Sequence, residues 1–253
     1  MGLGRGRVTP QQADRWVYNR MVDTYAARPA YPAPLVARLA ELAGPAPAPI
    51  ADVGAGIGHL SLPLAAHGHE VFAIEPAEAM LSELTRRARV AGQALSPVHA
   101  AAEDLPLTAS SVNLVVVADA LHFLDAHRAG REFGRVLRRG GVLAVVLVEF
   151  GDSPYMQALT ELMREAAPRR PKPTESILRQ VGQLSGAPLA LDGQLELALP
   201  VDRAHIETLL RSISFIGPAM QGARFEAFRA RVHAIEHPPR WHTALRWYVG
   251  QRR

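Results

Sequence analysis

The sequence predicts a doubly wound α/β fold on a mostly parallel, seven-stranded sheet, and three observations carry that expectation. From Ile50 onward, short apolar runs alternate with helix-period segments, which is the pattern of βαβ units. The first of these runs ends in a glycine-rich turn, Asp52-Val53-Gly54-Ala55-Gly56-Ile57-Gly58. The chain has 253 residues with 48% apolar content, enough to close a large core with appended segments.

Ahead of that rhythm, Thr9, Pro10 and Gln12 read as the N-cap, first-turn proline and capping-box partner of a helix. It should end by Arg28, because Pro29 disfavours helical geometry before it. A second helix is expected over Leu35 to Ala43, after which Gly44 and the stiff Pro45-Ala46-Pro47-Ala48-Pro49 lead into the core. Strands are predicted at Ile50 to Val53, Glu70 to Ile74, Ser96 to Ala100, Val112 to Ala118 and Val142 to Val148. Between the last two, Asp125 caps a helix that buries Ala129, Phe133, Val136 and Leu137 at i, i+4, i+7 and i+8. Arg138, Arg139 and Gly140 are expected to close it. Residues 151–193 mix helical pattern with proline clusters, including Arg169-Arg170-Pro171-Lys172-Pro173, and suggest a cap over the sheet edge. A strand at Gln194 to Leu199, helices at Asp202 to Arg211 and Phe225 to Glu236, and a final strand at Thr243 to Val249 follow. The expected organisation is an N-terminal helical lid (1–44), a ligand-binding core (50–150), an inserted cap (151–193) and a C-terminal completion of the sheet (194–253).

The formal charge is +4, and Lys172 is the sole lysine. Opposite charges are interspersed without a long single-sign run, so a mixed solvated surface is expected and a nucleic-acid partner is not. The absence of cysteine excludes disulfides, thiolate nucleophiles and cysteine-ligated zinc. The N-terminus lacks an apolar signal core, and the run Val142 to Val148 is far too short to cross a bilayer. A cytoplasmic protein without a membrane partner is the expectation.

Glycines at alternate positions let the backbone turn tightly and approach a ligand closely. Their amides and the following helix N-terminus then face its negative group. A plain strand-to-helix turn is the competing account. Glu75 ends the next predicted strand, 21 residues beyond Gly54, where a carboxylate can accept both ribose hydroxyls. The dinucleotide fingerprint would need a glycine at position 59, where this chain has His59.

Together these motifs resemble the class I S-adenosylmethionine-dependent methyltransferases, a Rossmann-like family, from about Trp16 to the C-terminus and most strongly between Ile50 and Val148. The resemblance implies S-adenosyl-L-methionine as cofactor, with Asp52, Gly54, Ala55, Gly56 and Gly58 around its methionine part. It places Glu75 on the ribose with Pro76 beside it, Ala102 and Glu103 at the adenine, and Ala118 at the end of the fourth strand. Arg138-Arg139-Gly140-Gly141-Val142 is similar to the family's turn before the fifth strand. Tyr25-Ala26-Ala27-Arg28-Pro29-Ala30-Tyr31-Pro32 resembles the lid of small-molecule enzymes akin to trans-aconitate methyltransferase, in which Tyr25 and Arg28 would fold over the cofactor. Ala120-Leu121-His122-Phe123-Leu124-Asp125 is similar to their segment after the fourth strand, with His122-Phe123 where they usually read His-Trp. Asn113, where aspartate is more frequent, is expected to be structural.

Methyl transfer from a sulfonium is an in-line displacement, so holding the nucleophile in place can contribute about 7 to 11 kcal/mol. A protic acceptor also needs a base, and His122 is the candidate catalytic base or positioning group. A histidine packed beneath the lid is the equal alternative. His59 follows the glycine turn and could approach the cofactor, but a helix surface is its expected place. His233-Ala234-Ile235-Glu236-His237 matches a zinc-peptidase pattern, but Pro238 and Pro239 end that helix and no metal is expected. Trp247 is expected to pack on the sheet, and Asp119-Ala120-Leu121-His122 lacks the nucleobase aminomethylation motif. The leading expectation is an enzyme that methylates a small organic acceptor at oxygen, carboxylate or nitrogen. RNA methylation and a non-catalytic S-adenosylmethionine-binding interaction protein remain the alternatives.

Overall fold

The computed structural model describes residues 17–169 and 173–253. Seven strands, β1 (Pro49–Val53), β2 (Glu70–Ile74), β3 (Ser96–Val98), β4 (Val112–Ala118), β5 (Leu137–Phe150), β6 (Ala190–Pro200) and β7 (Arg240–Gln251), form one sheet. Their order is β3-β2-β1-β4-β5-β7-β6. The first five are parallel, and β7 runs antiparallel to both β5 and β6. This is the doubly wound sheet that the sequence predicts. Chain order reverses between β1 and β4, and ligands gather beyond the carboxyl ends of strands at such a point.

Each face of the sheet has its own apolar layer. On one, Leu35, Leu39 and Ala43 of the helix Ala33–Ala43 and Leu64 of the helix Ser61–Ala66 meet Ile50, Leu114, Val116 and Val146. On the other, Ala129, Phe133 and Val136 of the helix Ala126–Val136 meet Val115, Val117 and Val145. The Asp125 carboxylate caps that helix by accepting the His127 and Arg128 amides, both at 3.0 Å. Asn113 is structural: its buried side-chain amide donates to the Ala43 carbonyl at 2.8 Å.

Strands β5, β6 and β7 run longer than the sequence reading and the last helix ends at His233, and two further boundaries differ nearer the site. The Asp125-capped helix ends at Val136, and Leu137 already pairs with Val112 as the first residue of β5. Leu137 is buried there, so the apolar spacing that suggested a helical face is met from a strand. The Ser110 and Ser111 amides take the carbonyls of Arg135 and Val136 at 2.8 and 2.9 Å, which terminates the helix before Arg138. Strand β3 stops at Val98, whose carbonyl accepts the Glu75 amide at 3.0 Å.

Within residues 151–193 the two helices separate. Pro154–Ala166 joins Arg203–Arg211 and Ala223–His233 in an apolar cluster around Met156, Leu159, Ile206, Phe225 and Trp241. Thr174–Leu184 instead adds Leu178 and Val181 to the sheet core beside Phe133. The helix start expected at Thr9 to Gln12, and Arg170 to Lys172, lie outside the described residues. Among the described residues no helix is long and apolar enough to cross a membrane.

Candidate functional site

The glycine turn after β1 is fastened to the end of β2. The Gly54 and Ala55 amides both donate to the Ile74 carbonyl, at 2.8 and 3.0 Å. Gly54 has φ 79°, and a Cβ there would fall 2.5 Å from the Ala120 Cβ. Gly56, at φ 55°, lies under the Tyr25 ring, which a Cβ would meet at 3.4 Å. Only glycine serves at Gly54, on grounds of backbone and of space.

Glu75, buried at the end of β2, accepts the Gly56 amide at 2.9 Å and the Ala77 amide at 2.8 Å. Beside it a narrow cleft is lined by Tyr18, Tyr25, Gly54, Gly56, Glu75, Pro76, Met80, Ala102, Ala118, Asp119 and Phe123. Seven of the residues expected at the cofactor are thus gathered here: Tyr25, Gly54, Gly56, Glu75, Pro76, Ala102 and Ala118.

The others stand elsewhere. Asp52 lies behind the turn at 1% exposure, accepting the Ser61 hydroxyl. Burial pushes its carboxyl up to about 7, against the Ser61 hydrogen bond and with the Glu75 charge adding to the rise. Ala55 is buried within the turn, and the Gly58 amide donates to the Ala55 carbonyl at 2.9 Å. Glu103 accepts the Asp125 amide at 2.8 Å, which ties the loop after β3 to the segment after β4.

A second cavity of about 450 Å³ adjoins the cleft and shares Tyr18, Tyr25 and Asp119 with it. Tyr31, Phe150, Phe215, Trp241, Leu197 and Leu245 give it apolar walls, and Arg28, His59 and His122 also face it. Trp241 comes from the cluster around Met156 and Phe225 and Leu245 from the sheet core, so this chamber lies where that helical cluster, the segment around Arg28 and the sheet meet. His122 sits on a short turn, Leu121–Phe123, directly after β4, with its ring 3.9 Å from that of Phe123.

Arg28 clasps the chamber. Its guanidinium donates to Asp119 at 3.0 Å, to the Ser212 carbonyl at 2.7 Å and to the Ser212 hydroxyl at 3.3 Å, and lies over the Tyr25 ring at 4.3 Å. It thereby joins the segment around Tyr25 to the residue that follows β4 and to the end of the helix Arg203–Arg211. Asp119, missed from sequence, holds a left-handed backbone at φ 51°, a conformation aspartate tolerates better than most residues. Burial raises its carboxyl above the ordinary range despite Arg28.

His59 corrects the sequence reading. The helix after the glycine turn starts only at Ser61, and the His59 ring stacks on Tyr25 with centroids 5.8 Å apart and planes 14° from parallel. Two other expectations are answered by position. The helix Ala223–His233 ends at the first histidine of the zinc-peptidase pattern, leaving His237 beyond it. Trp247 lies on β7 against the sheet core, its indole N–H donating to Asp192 at 2.9 Å.

Residues 51–145 match the family model described as "Methyltransferase domain". An uncharacterized methyltransferase of Mycobacterium tuberculosis is 40% identical over 97 residues, 38% of this chain and 38% of that protein. A "Probable S-adenosylmethionine-dependent methyltransferase" of Saccharomyces cerevisiae is 29% identical over 133 residues, 50% of this chain and 46% of that protein. The matches thus span less than half the length of these curated relatives. The YcgJ protein of Bacillus subtilis shares the fold with a TM-score of 0.61 at 19% identity, over 86% of this chain and 97% of that one.

Proposed function

We propose, from a core segment that matches the model of a methyltransferase domain, that this protein is a class I S-adenosylmethionine-dependent methyltransferase that methylates a small organic acceptor held beneath its lid. The observation that carries the reading is the chamber of about 450 Å³ set directly against the cleft of Glu75 and the glycine turn, with Tyr18, Tyr25 and Asp119 common to both. A cofactor in the cleft and an acceptor in the chamber would meet at that seam.

The donor set suits S-adenosyl-L-methionine. A carboxylate offers about four acceptor positions, so ribose hydroxyls can add to the amides that Glu75 already holds. Pro76, Ala102 and Ala118 leave an apolar slot for adenine. When bound, the cofactor supplies a sulfonium methyl and leaves as a neutral thioether.

The chain's own residues hold the acceptor in line and exclude water, the two contributions that orientation can make large. His122, on the chamber wall, takes or orients the proton that a protic acceptor loses as its bond to the methyl carbon forms. Arg28 and Tyr25 close the lid. The lid segment and His122-Phe123 favour the small-molecule branch akin to trans-aconitate methyltransferase. A chamber of this size with aromatic walls suits a small molecule better than RNA.

Calorimetry tests the reading: S-adenosylmethionine or its demethylated product should bind, and a nicotinamide dinucleotide should not. Tighter dinucleotide binding would overturn it. A screen of small acceptors, read as demethylated cofactor, then identifies the substrate.

A further inference from the structure

We infer that Asp119 recognises the positive charge of the methyl donor, so that the site distinguishes a cationic cofactor from the neutral one left after transfer, an inference that rests on the methyltransferase reading above. A donor in the cleft that meets an acceptor in the chamber must bring its reacting atom to the seam between them. Three residues line both cavities, Tyr18, Tyr25 and Asp119. Asp119 is the one acid of the three.

The backbone fixes where that acid stands. The Asp119 amide donates to the Val146 carbonyl of β5 at 2.9 Å, and the next residue, Ala120, is the one that a Cβ at Gly54 would strike at 2.5 Å. This segment is thus held between β5 and the glycine turn. Asp119 and Ser110 are the two residues other than glycine with a left-handed backbone among those described, and Ser110 lies on an exposed turn. Such backbone is uncommon and gathers at ligand sites. It does not by itself call for an acid, because asparagine or glycine would adopt it as well. What the acid adds is a charge at the seam.

The other acids of the two cavities serve elsewhere. In the cleft, Glu75 holds the Gly56 and Ala77 amides at 2.9 and 2.8 Å, and in the chamber Glu149 pairs with Arg246 at 2.9 Å. Arg28 bonds one Asp119 oxygen at 3.0 Å, which favours the ionised carboxylate, and the second oxygen brings acceptor positions of its own. Arg28 lines the chamber and not the cleft, so the negative end of the pair is the end presented to the donor. Transfer takes the positive charge off the sulfur, and the attraction goes with it. At this contact spent cofactor is held less tightly than fresh cofactor, which favours their exchange.

Calorimetry with three ligands tests this on the wild type and Asp119→Asn: S-adenosylmethionine, a sulfonium; sinefungin, with an ammonium group in its place; and S-adenosylhomocysteine, a neutral thioether. Loss of the carboxylate should weaken both cations by about threefold to tenfold, the size of one partly screened charge contact, and leave the thioether within about twofold. Asp119→Gly, which also suits a left-handed backbone, should give the same pattern, and melting curves confirm that each variant folds. A loss shared by all three ligands, by none, or by S-adenosylmethionine without sinefungin overturns the role of Asp119. The wild-type titrations separate the two readings. No binding of any of the three ligands sinks the methyltransferase assignment, whereas wild-type binding without a charge-selective loss in the variants sinks the Asp119 inference alone.

Discussion

The Glu75 carboxylate accepts the Gly56 amide at 2.9 Å, so the side chain at the end of β2 braces the turn at the end of β1. If it also holds ribose hydroxyls, those charged hydrogen bonds are worth about 1.5 to 3 kcal/mol. Glu75→Ala should then weaken cofactor binding by roughly 10-fold to 150-fold. Glu75→Gln should fall between the two, because its single side-chain oxygen cannot serve both the Gly56 and Ala77 amides and the ligand. Isothermal titration on folded variants checks this. An unchanged dissociation constant in Glu75→Ala would mean that the ribose is held elsewhere.

Arg28 and Asp119 form the ion pair of the seam, with about a quarter of each side chain exposed. Removing the cation leaves a partly buried carboxylate without its partner, so Arg28→Met should destabilise the protein by about 1 to 3 kcal/mol. Asp119→Asn should cost less, because asparagine tolerates the left-handed backbone and can still accept from the guanidinium. Urea denaturation of both variants and the double variant gives the coupling, expected at about 0.5 to 3 kcal/mol. Additive losses would show that Arg28 acts through Ser212 instead.

Much of this site is legible one residue at a time, because local chemistry fixes it. The turn at Gly54 excludes a Cβ, and the helix beginning at Ala126 has its cap in Asp125. Strands β2 and β4 carry apolar runs bounded by turns and match their expected limits. What sequence could not supply are relations across the chain. Arg28 meets Ser212 at a separation of 184 residues, and no local pattern encodes that meeting. His59 was expected on a helix surface, but the helix starts only at Ser61 and leaves His59 in the turn, stacked on Tyr25. Asp119 carried one possible signal, an acid directly after an apolar strand at the switch point, but its cavity exists only once residues as far apart as Tyr18 and Leu245 are brought together. Leu137 was ambiguous in principle, since one buried leucine satisfies either periodicity.

Asp52 gives the fold a pH dependence of definite sign. An unfolded aspartate titrates near 3.9, whereas burial raises the native carboxyl to about 7. Between these values the native state binds the proton more strongly than the unfolded chain, so this group's contribution to stability falls as pH rises from about 4 to about 7, then levels off. The full span corresponds to about 4 kcal/mol. Asp52→Asn keeps a hydrogen-bonding partner for Ser61 and removes the titration. Thermal unfolding across pH 4 to 8, followed in both proteins, should show a shallower decline for the variant. Parallel profiles would assign the dependence to another group, such as Asp119.

His122 is expected to act on the acceptor and not on the cofactor. It lines the chamber but not the cleft of Glu75, so His122→Ala should leave S-adenosylmethionine affinity within about twofold, the scale of a few tenths of a kcal/mol. Turnover should fall. If the imidazole takes the acceptor proton, kcat drops by about 100-fold to 10,000-fold. If it only orients the acceptor, KM rises and kcat changes little. His122→Gln separates these cases, since an amide can hold a hydrogen bond but cannot accept a proton at neutral pH. Orientation predicts that glutamine recovers most of the lost KM, while base catalysis predicts that kcat stays low. The measurement needs initial rates with an identified acceptor and a cofactor titration on each variant. Wild-type kcat and KM in His122→Ala would show a ring that merely packs on Phe123.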